Sequence, residues 1–127
     1  MQNITKTFLR TDKTMQEYID FMKNEIKDSK DFSNEEKVIK EFDNWIIIEN
    51  RFPYDAVSSV SHMLITKRKV PFDWSLLNKE ELNELSILRD SYINKNYDVL
   101  WENLPNGQTI KGRFHLHLLV LKREEIS

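Results

Sequence analysis

The stretch Gly112-Arg113-Phe114-His115-Leu116-His117-Leu118-Leu119-Val120-Leu121 decides how this chain is read. Successive side chains of a β-strand point to opposite faces. As a strand, the stretch places Arg113, His115, His117, Leu119 and Leu121 on one face and Phe114, Leu116, Leu118 and Val120 on the other. The second face is wholly apolar and is expected to be buried. The first becomes a platform with one cation and two imidazoles at a spacing of two residues, an arrangement suited to an anion such as phosphate.

Outward from this strand the pattern alternates between sheet and helix. Asn103 to Gly112 holds Pro105, Asn106-Gly107 and Gly112 and reads as a loop or hairpin, preceded by a strand over Tyr97 to Glu102. Asn78-x-x-Glu81 is a capping box that opens a helix from about Lys79 to Asn94, with Leu82, Leu85, Leu88 and Tyr92 as its buried stripe. Val70 to Leu77 reads as a loop whose Pro71, Phe72 and Trp74 cover an edge of the core. Trp45-Ile46-Ile47-Ile48-Glu49 and residues 61 to 66 are β-branched and apolar strands joined by a turn at Asn50 to Asp55. Farther toward the N-terminus, Met15, Ile19, Met22 and Ile26, with Thr14-x-x-Glu17 as a capping box, predict an amphipathic helix from Thr14 to about Lys27. Ser33-x-x-Glu36 with Val38, Ile39 and Phe42 predicts a short second helix that ends near Asn44. Residues 1 to 11 carry no period and read as a loosely held arm or a short edge strand. The expected class is α+β, a mostly antiparallel sheet with packed helices.

Composition narrows the function classes. A chain of 127 residues with 39% hydrophobic residues is expected to form one domain with one core. With 19 basic against 21 acidic residues, neither a large nucleic-acid footprint nor an anionic membrane is favoured as a partner. There is no cysteine, which removes disulfides and thiolate chemistry and fits a cytoplasmic setting. No run approaches the roughly 18 apolar residues of a membrane span, and Met1 to Leu9 lacks the apolar core of a secretory signal. The two glycines, Gly107 and Gly112, are too few for a Gly-rich phosphate loop.

Thr109-Ile110-Lys111-Gly112-Arg113-Phe114-His115-Leu116-His117-Leu118-Leu119 resembles the signature of the histidine triad superfamily of nucleotide hydrolases and transferases, in which three histidines alternate with apolar residues. Arg113 then stands in the first histidine position, with Gly112 just before it. A rival register takes His115 and His117 as the first two histidines and Leu119 as the third. The earlier succession of strand, Asn50-Arg51-Phe52-Pro53-Tyr54, His62-Met63-Leu64-Ile65 and Lys67-Arg68-Lys69 is similar to the first half of such domains, so the resemblance spans residues 45 to 121 and leaves 1 to 44 as a helical N-terminal extension. Two further departures are Thr66 where members commonly have Pro and Lys69 where they have His. Counting back from Lys67 puts His62 one residue off the usual histidine, on the opposite face.

The resemblance implies a metal-independent hydrolase or nucleotidyl transferase that needs no cofactor, acts at the α-phosphate of a nucleotide or nucleotide conjugate, and is often a homodimer. His115 corresponds to the nucleophile that forms a covalent nucleotidyl-histidine, His117 to the third histidine at the phosphate, and Arg113 to the position that supports the nucleophile. Asn103, Thr109, Gln108 and His62 become phosphate-binding candidates, and Phe52, Tyr54 and Asp55 candidates for base and ribose. Three other readings stand beside this one. The same substitutions fit a non-catalytic relative that binds a nucleotide or a protein. His-x-His on a strand is a usable metal-ligand pair, although no carboxylate nearby in sequence completes it. Strand histidines also occur simply half-buried and hydrogen-bonded, and Lys67-Arg68-Lys69 is commonly a solvated turn.

Overall fold

The computed structural model describes residues 8–24, 37–104 and 112–126. Helix α1 spans Asp12–Asn24, and strands β1 and β2 span Val38–Glu41 and Trp45–Glu49. Strand β3 covers Ser58–Thr66, and a single 3-10 turn follows at Trp74–Leu76. Helix α2, Lys79–Leu88, widens into a π-helical turn at Arg89–Ile93 and closes with a last turn at Asn94–Asn96. Strands β4, Val99–Trp101, and β5, His115–Leu121, complete a five-stranded antiparallel sheet in the order β1-β2-β3-β5-β4. The fold is α+β, as expected.

The decisive stretch lies inside the sheet, between β3 and β4. Leu64↔Leu116 and His62↔Leu118 pair on one face, and Ile65↔His115, Met63↔His117 and Ser61↔Leu119 on the other. Phe114, Leu116 and Leu118 are sealed against Trp45, Ile47, Leu64, Leu85, Leu88 and Ile93. Burial of each such side chain contributes about 1.5–3 kcal/mol. The apolar face is therefore the core that α2 covers. Phe72 stacks on Phe114 at 4.5 Å, with Trp74 edge-on at 4.9 Å, so the 70–77 loop closes the core edge as its aromatics predict. The Asn78 side chain accepts from the Glu81 amide and Glu81 reaches back to the Asn78 amide, so the predicted capping box is present.

Three expectations are corrected. Residues 38–41 form an edge strand, not the end of a helix. A short apolar run has no reliable period, and here Phe42 N–H donates to Trp45 O at 2.8 Å while Glu84 of α2 accepts from the Asp43 and Asn44 amides. The remainder of that predicted helix, with Ser33 and Glu36, lies outside the described residues. Helix α1 starts before Thr14, because Thr11 caps it: its carbonyl accepts from the Met15 amide and its hydroxyl from the Thr14 amide. Of the N-terminal arm, residues 8–11 are held rather than loose, since Leu9 O accepts from the Ala56 amide and the Thr11 amide donates to Asp55.

Candidate functional site

Strand parity brings His115 and His117 onto the face away from α2, but this face is no open platform. His115 is 5% and His117 3% exposed, because β5 is an interior strand flanked by Met63 and Ile65 of β3 and by Trp101 of β4. The imidazoles stand nearly perpendicular, with centroids 5.3 Å apart. His115 Nδ1–H donates to the Arg113 carbonyl at 2.9 Å. A carbonyl only accepts, so the proton sits on Nδ1 and the lone pair on Nε2. Burial pushes the His115 pKa below the usual imidazole value, against the opposing pull of the Arg113 carbonyl, and keeps the ring neutral.

His117 lies under Tyr54, whose ring centroid is 4.7 Å away. Its Nε2 is 3.4 Å from Tyr54 Oη and 3.3 Å from Asn103 Nδ2, while the Asn103 amide also donates to Tyr54 Oη at 3.0 Å. Burial, then unfavourable electrostatic interaction of the imidazolium with His115 and Arg10, pushes its pKa down to about 3. His117 Nδ1 is buried and has no partner among the described residues. The structure thus gathers His115, His117, Asn103 and Tyr54 into one cluster, to which Trp101 adds its ring at 5.9 Å from Tyr54.

The remaining candidates are placed otherwise. Arg113 precedes the regular strand and is 3% exposed, and its Nη2 donates to the Thr66 carbonyl at the end of β3. His62 is on the opposite face of the sheet, half-buried, with Nδ1 2.7 Å from Tyr97 Oη. Burial lowers its pKa, against Glu49, and raises that of Tyr97 to about 12, so the phenol keeps its proton. Phe52 packs edge-on against Tyr18 and beside Phe21, both on α1, at 5.4 and 5.2 Å. Asp55 holds the start of α1: Oδ1 accepts from the Thr11 amide at 2.9 Å and Oδ2 from the Thr14 hydroxyl at 2.5 Å. Its partial burial favours the neutral acid, but these threonine bonds hold its pKa below the usual carboxylate value. Gln108 and Thr109 lie outside the described residues.

Two residues of this face escaped the sequence reading. Ser61, not His62, shares the face of the histidines, and its hydroxyl accepts from the Tyr54 amide at 3.1 Å. The one-residue offset of His62 was the signal for it. Arg10 sits over the Tyr54 ring at 4.7 Å, and no periodicity in residues 1 to 11 points to it. Among the described residues, no group of three or more His, Asp or Glu side chains is placed to hold a metal ion, and no helix is long and apolar enough to cross a membrane.

No protein-family model matches the sequence, and no curated protein sequence matches it. Among solved structures, one described as "Hit Like Protein" aligns with 66% of this chain and 84% of its own, at 16% identity and a TM-score of 0.50. A likeness at that identity speaks for architecture and not for chemistry, and together with the sheet order and the packed helices it shows that the chain has a histidine triad-like (HIT-like) fold.

Proposed function

We propose that this protein is a metal-independent nucleotide hydrolase or nucleotidyl transferase that works at the α-phosphate through His115. The observation that carries the reading is the Nδ1–H···O=C bond from His115 to Arg113, in a buried setting that disfavours the imidazolium. It assigns the lone pair to Nε2 before substrate arrives. A neutral imidazole so oriented is a competent nucleophile toward phosphorus. Nε2 would attack the α-phosphorus, the bond to the leaving group would break, and a phosphate leaving group would depart as its oxyanion. The positive charge left on the ring is stabilised by the Nδ1–H bond to the carbonyl. Water or another acceptor then attacks the N–P bond and returns the neutral imidazole. Asn103 and His117 supply polar contacts to the phosphate oxygens. A homodimeric state and a cytoplasmic setting go with this reading and rest on the resemblance alone.

A second reading, a non-catalytic nucleotide- or protein-binding relative, is favoured by one specific observation. Two of the three candidates for base and ribose contact are occupied at α1, Phe52 by its aromatic rings and Asp55 by the threonines at its start. Turnover of nucleoside phosphoramidates and dinucleoside polyphosphates in the presence of chelator separates the two. The catalytic reading expects activity that His115→Ala lowers by at least about a hundredfold, and a nucleotidyl adduct on His115 in mass spectra of the native protein. Equal rates for native protein and His115→Ala would sink it, and binding without turnover would leave the second reading.

A further inference from the structure

His115 is 5% exposed, yet any group that reacts with its Nε2 has to reach it. Part of its cover must therefore move. Strands β3 and β4 are hydrogen-bonded to β5 on either side and cannot part from it without breaking the sheet. The loop over residues 70–77 is free of that constraint. Its Phe72 stands edge-on to His115, with ring centroids 6.1 Å apart, and meets Trp74 at 6.4 Å.

This loop is built as a strap. One end is fixed where the Val70 carbonyl accepts from the Phe114 amide at 2.7 Å. The other is fixed where the Leu76 carbonyl accepts from Arg68 Nη2 at 2.9 Å and Leu77 enters the core. Between these anchors Pro71, Asp73, Trp74 and Ser75 are exposed and Phe72 is half-buried. The Asp73 carboxylate bonds within the strap, accepting from the Ser75 amide and hydroxyl. Among the described residues, one hydrogen bond ties the middle of the strap to another element: Trp74 Nε1–H donates to Glu102 Oε2 at 3.0 Å. The strap follows β3 and Glu102 follows β4, so the bond closes across the start of β5, where Trp74 lies edge-on to Phe114. An exposed bond of this kind is the weakest fixing of the strap.

We infer that residues 71–75 are a gate beside His115, latched by the bond between Trp74 and Glu102, which makes these two positioning residues for access to the imidazole. Opening carries Phe72 off the His115 ring while both anchors hold. Neither latch residue touches the reacting atoms. That the gate admits a substrate rests on the catalytic reading of the preceding subsection, whereas its control of His115 does not.

Carbethoxylation of the full-length protein by diethyl pyrocarbonate, followed histidine by histidine in mass spectra, tests it. The reagent acylates neutral imidazole nitrogens, and at a covered one the rate follows the population of the open form. His62, half-buried on the opposite face of the sheet, is the internal reference. Trp74→Phe keeps a ring and removes the donor, and Glu102→Ala removes the acceptor. Each is expected to raise the ratio of His115 to His62 modification about 3- to 10-fold, the weight of one exposed hydrogen bond to a charged acceptor. Glu102→Gln keeps an acceptor and stays near the native ratio. The double variant gains no more than either single one, because both remove the same bond. An unchanged ratio in both single variants, or gains that multiply in the double variant, overturns the inference. If the latch variants behave as expected and the panel described above shows no turnover, the catalytic reading falls and the gate stands.

Discussion

His117 shows at single-residue scale how placement sets chemistry. In an unfolded chain its imidazole takes up a proton near pH 6.5, but in the fold its pKa is pushed down to about 3, first by burial and then by unfavourable electrostatic interaction with His115 and Arg10. Below pH 6.5 the unfolded chain therefore binds more protons than the native one, and stability falls as pH falls. From this residue alone the loss between pH 7 and pH 4.5 is on the order of 2–3 kcal/mol. His62 and His115, both lowered chiefly by burial, add to it with the same sign. That window lies at or above the range where ordinary carboxylates titrate, so histidines dominate it. Urea unfolding at pH 7, 6, 5.5 and 4.5 is expected to show this slope, and His117→Phe to flatten it. An equally steep slope in His117→Phe would mean that the buried imidazole is not its source.

At the scale of elements, α1 is informative because it packs on the loop that follows β2. Its buried residues Met15, Tyr18 and Met22 cluster with Phe52, and Asp55 accepts hydrogen bonds from Thr11 and Thr14 at its start. Bonds to a charged acceptor of this kind are worth about 1.5–3 kcal/mol each before cooperativity and solvent exposure reduce them. Asp55→Ala should release α1 without unfolding the sheet. Hydrogen exchange is expected to speed up by roughly tenfold over residues 12–24 and to stay slow in β3 and β5, given the link between opening free energy and exchange. Unchanged exchange in α1 would show that the apolar contacts with Phe52 suffice to hold it. Since the Asp55 carboxyl is held below its ordinary value of 3.8, docking is intact at pH 5 and is lost only as pH falls through the lower folded value. The period of three and four in Met15, Tyr18, Ile19 and Met22 made this helix legible in the sequence. Its docking partner was not, because Phe52 and Asp55 are thirty or more residues away from the side chains that meet them.

Across the whole molecule, stability is concentrated where β3 and β5 pair beneath α2. Leu118 is fully buried there, whereas Ile39 on the edge strand β1 is 36% exposed. Leu118→Ala is expected to cost about 2–5 kcal/mol, from lost transfer energy and the cavity left behind. Ile39→Ala should cost about 1 kcal/mol or less, because a half-wet edge position leaves little cavity. Comparable losses in urea unfolding would show that β1 is part of the cooperative core and not an appended edge. The same gradient explains why the predicted helix over residues 38–44 failed while the strand at 45–49 held. Trp45 and Ile47 have a core to enter, and Val38 to Glu41 are exposed throughout and take their conformation from the neighbouring strand.

The amino-acid sequence by itself determined the alternation of the 114–121 segment, the capped helix after Asn78, the strands at 45–49 and 61–66 and the α+β class. These depend on side-chain period and on hydrogen bonds between near neighbours, both written locally. It also determined that His115 and His117 share a face and that His62 is out of step with it, since parity is a counting property of a strand. Only the tertiary structure decided that the histidine face is covered, that Arg113 turns to the Thr66 carbonyl, and that Arg10, Tyr54 and Asn103 surround His117. These contacts join residues from distant parts of the chain, and burial, which sets the proton affinity of the imidazoles, has no value until those parts have packed together.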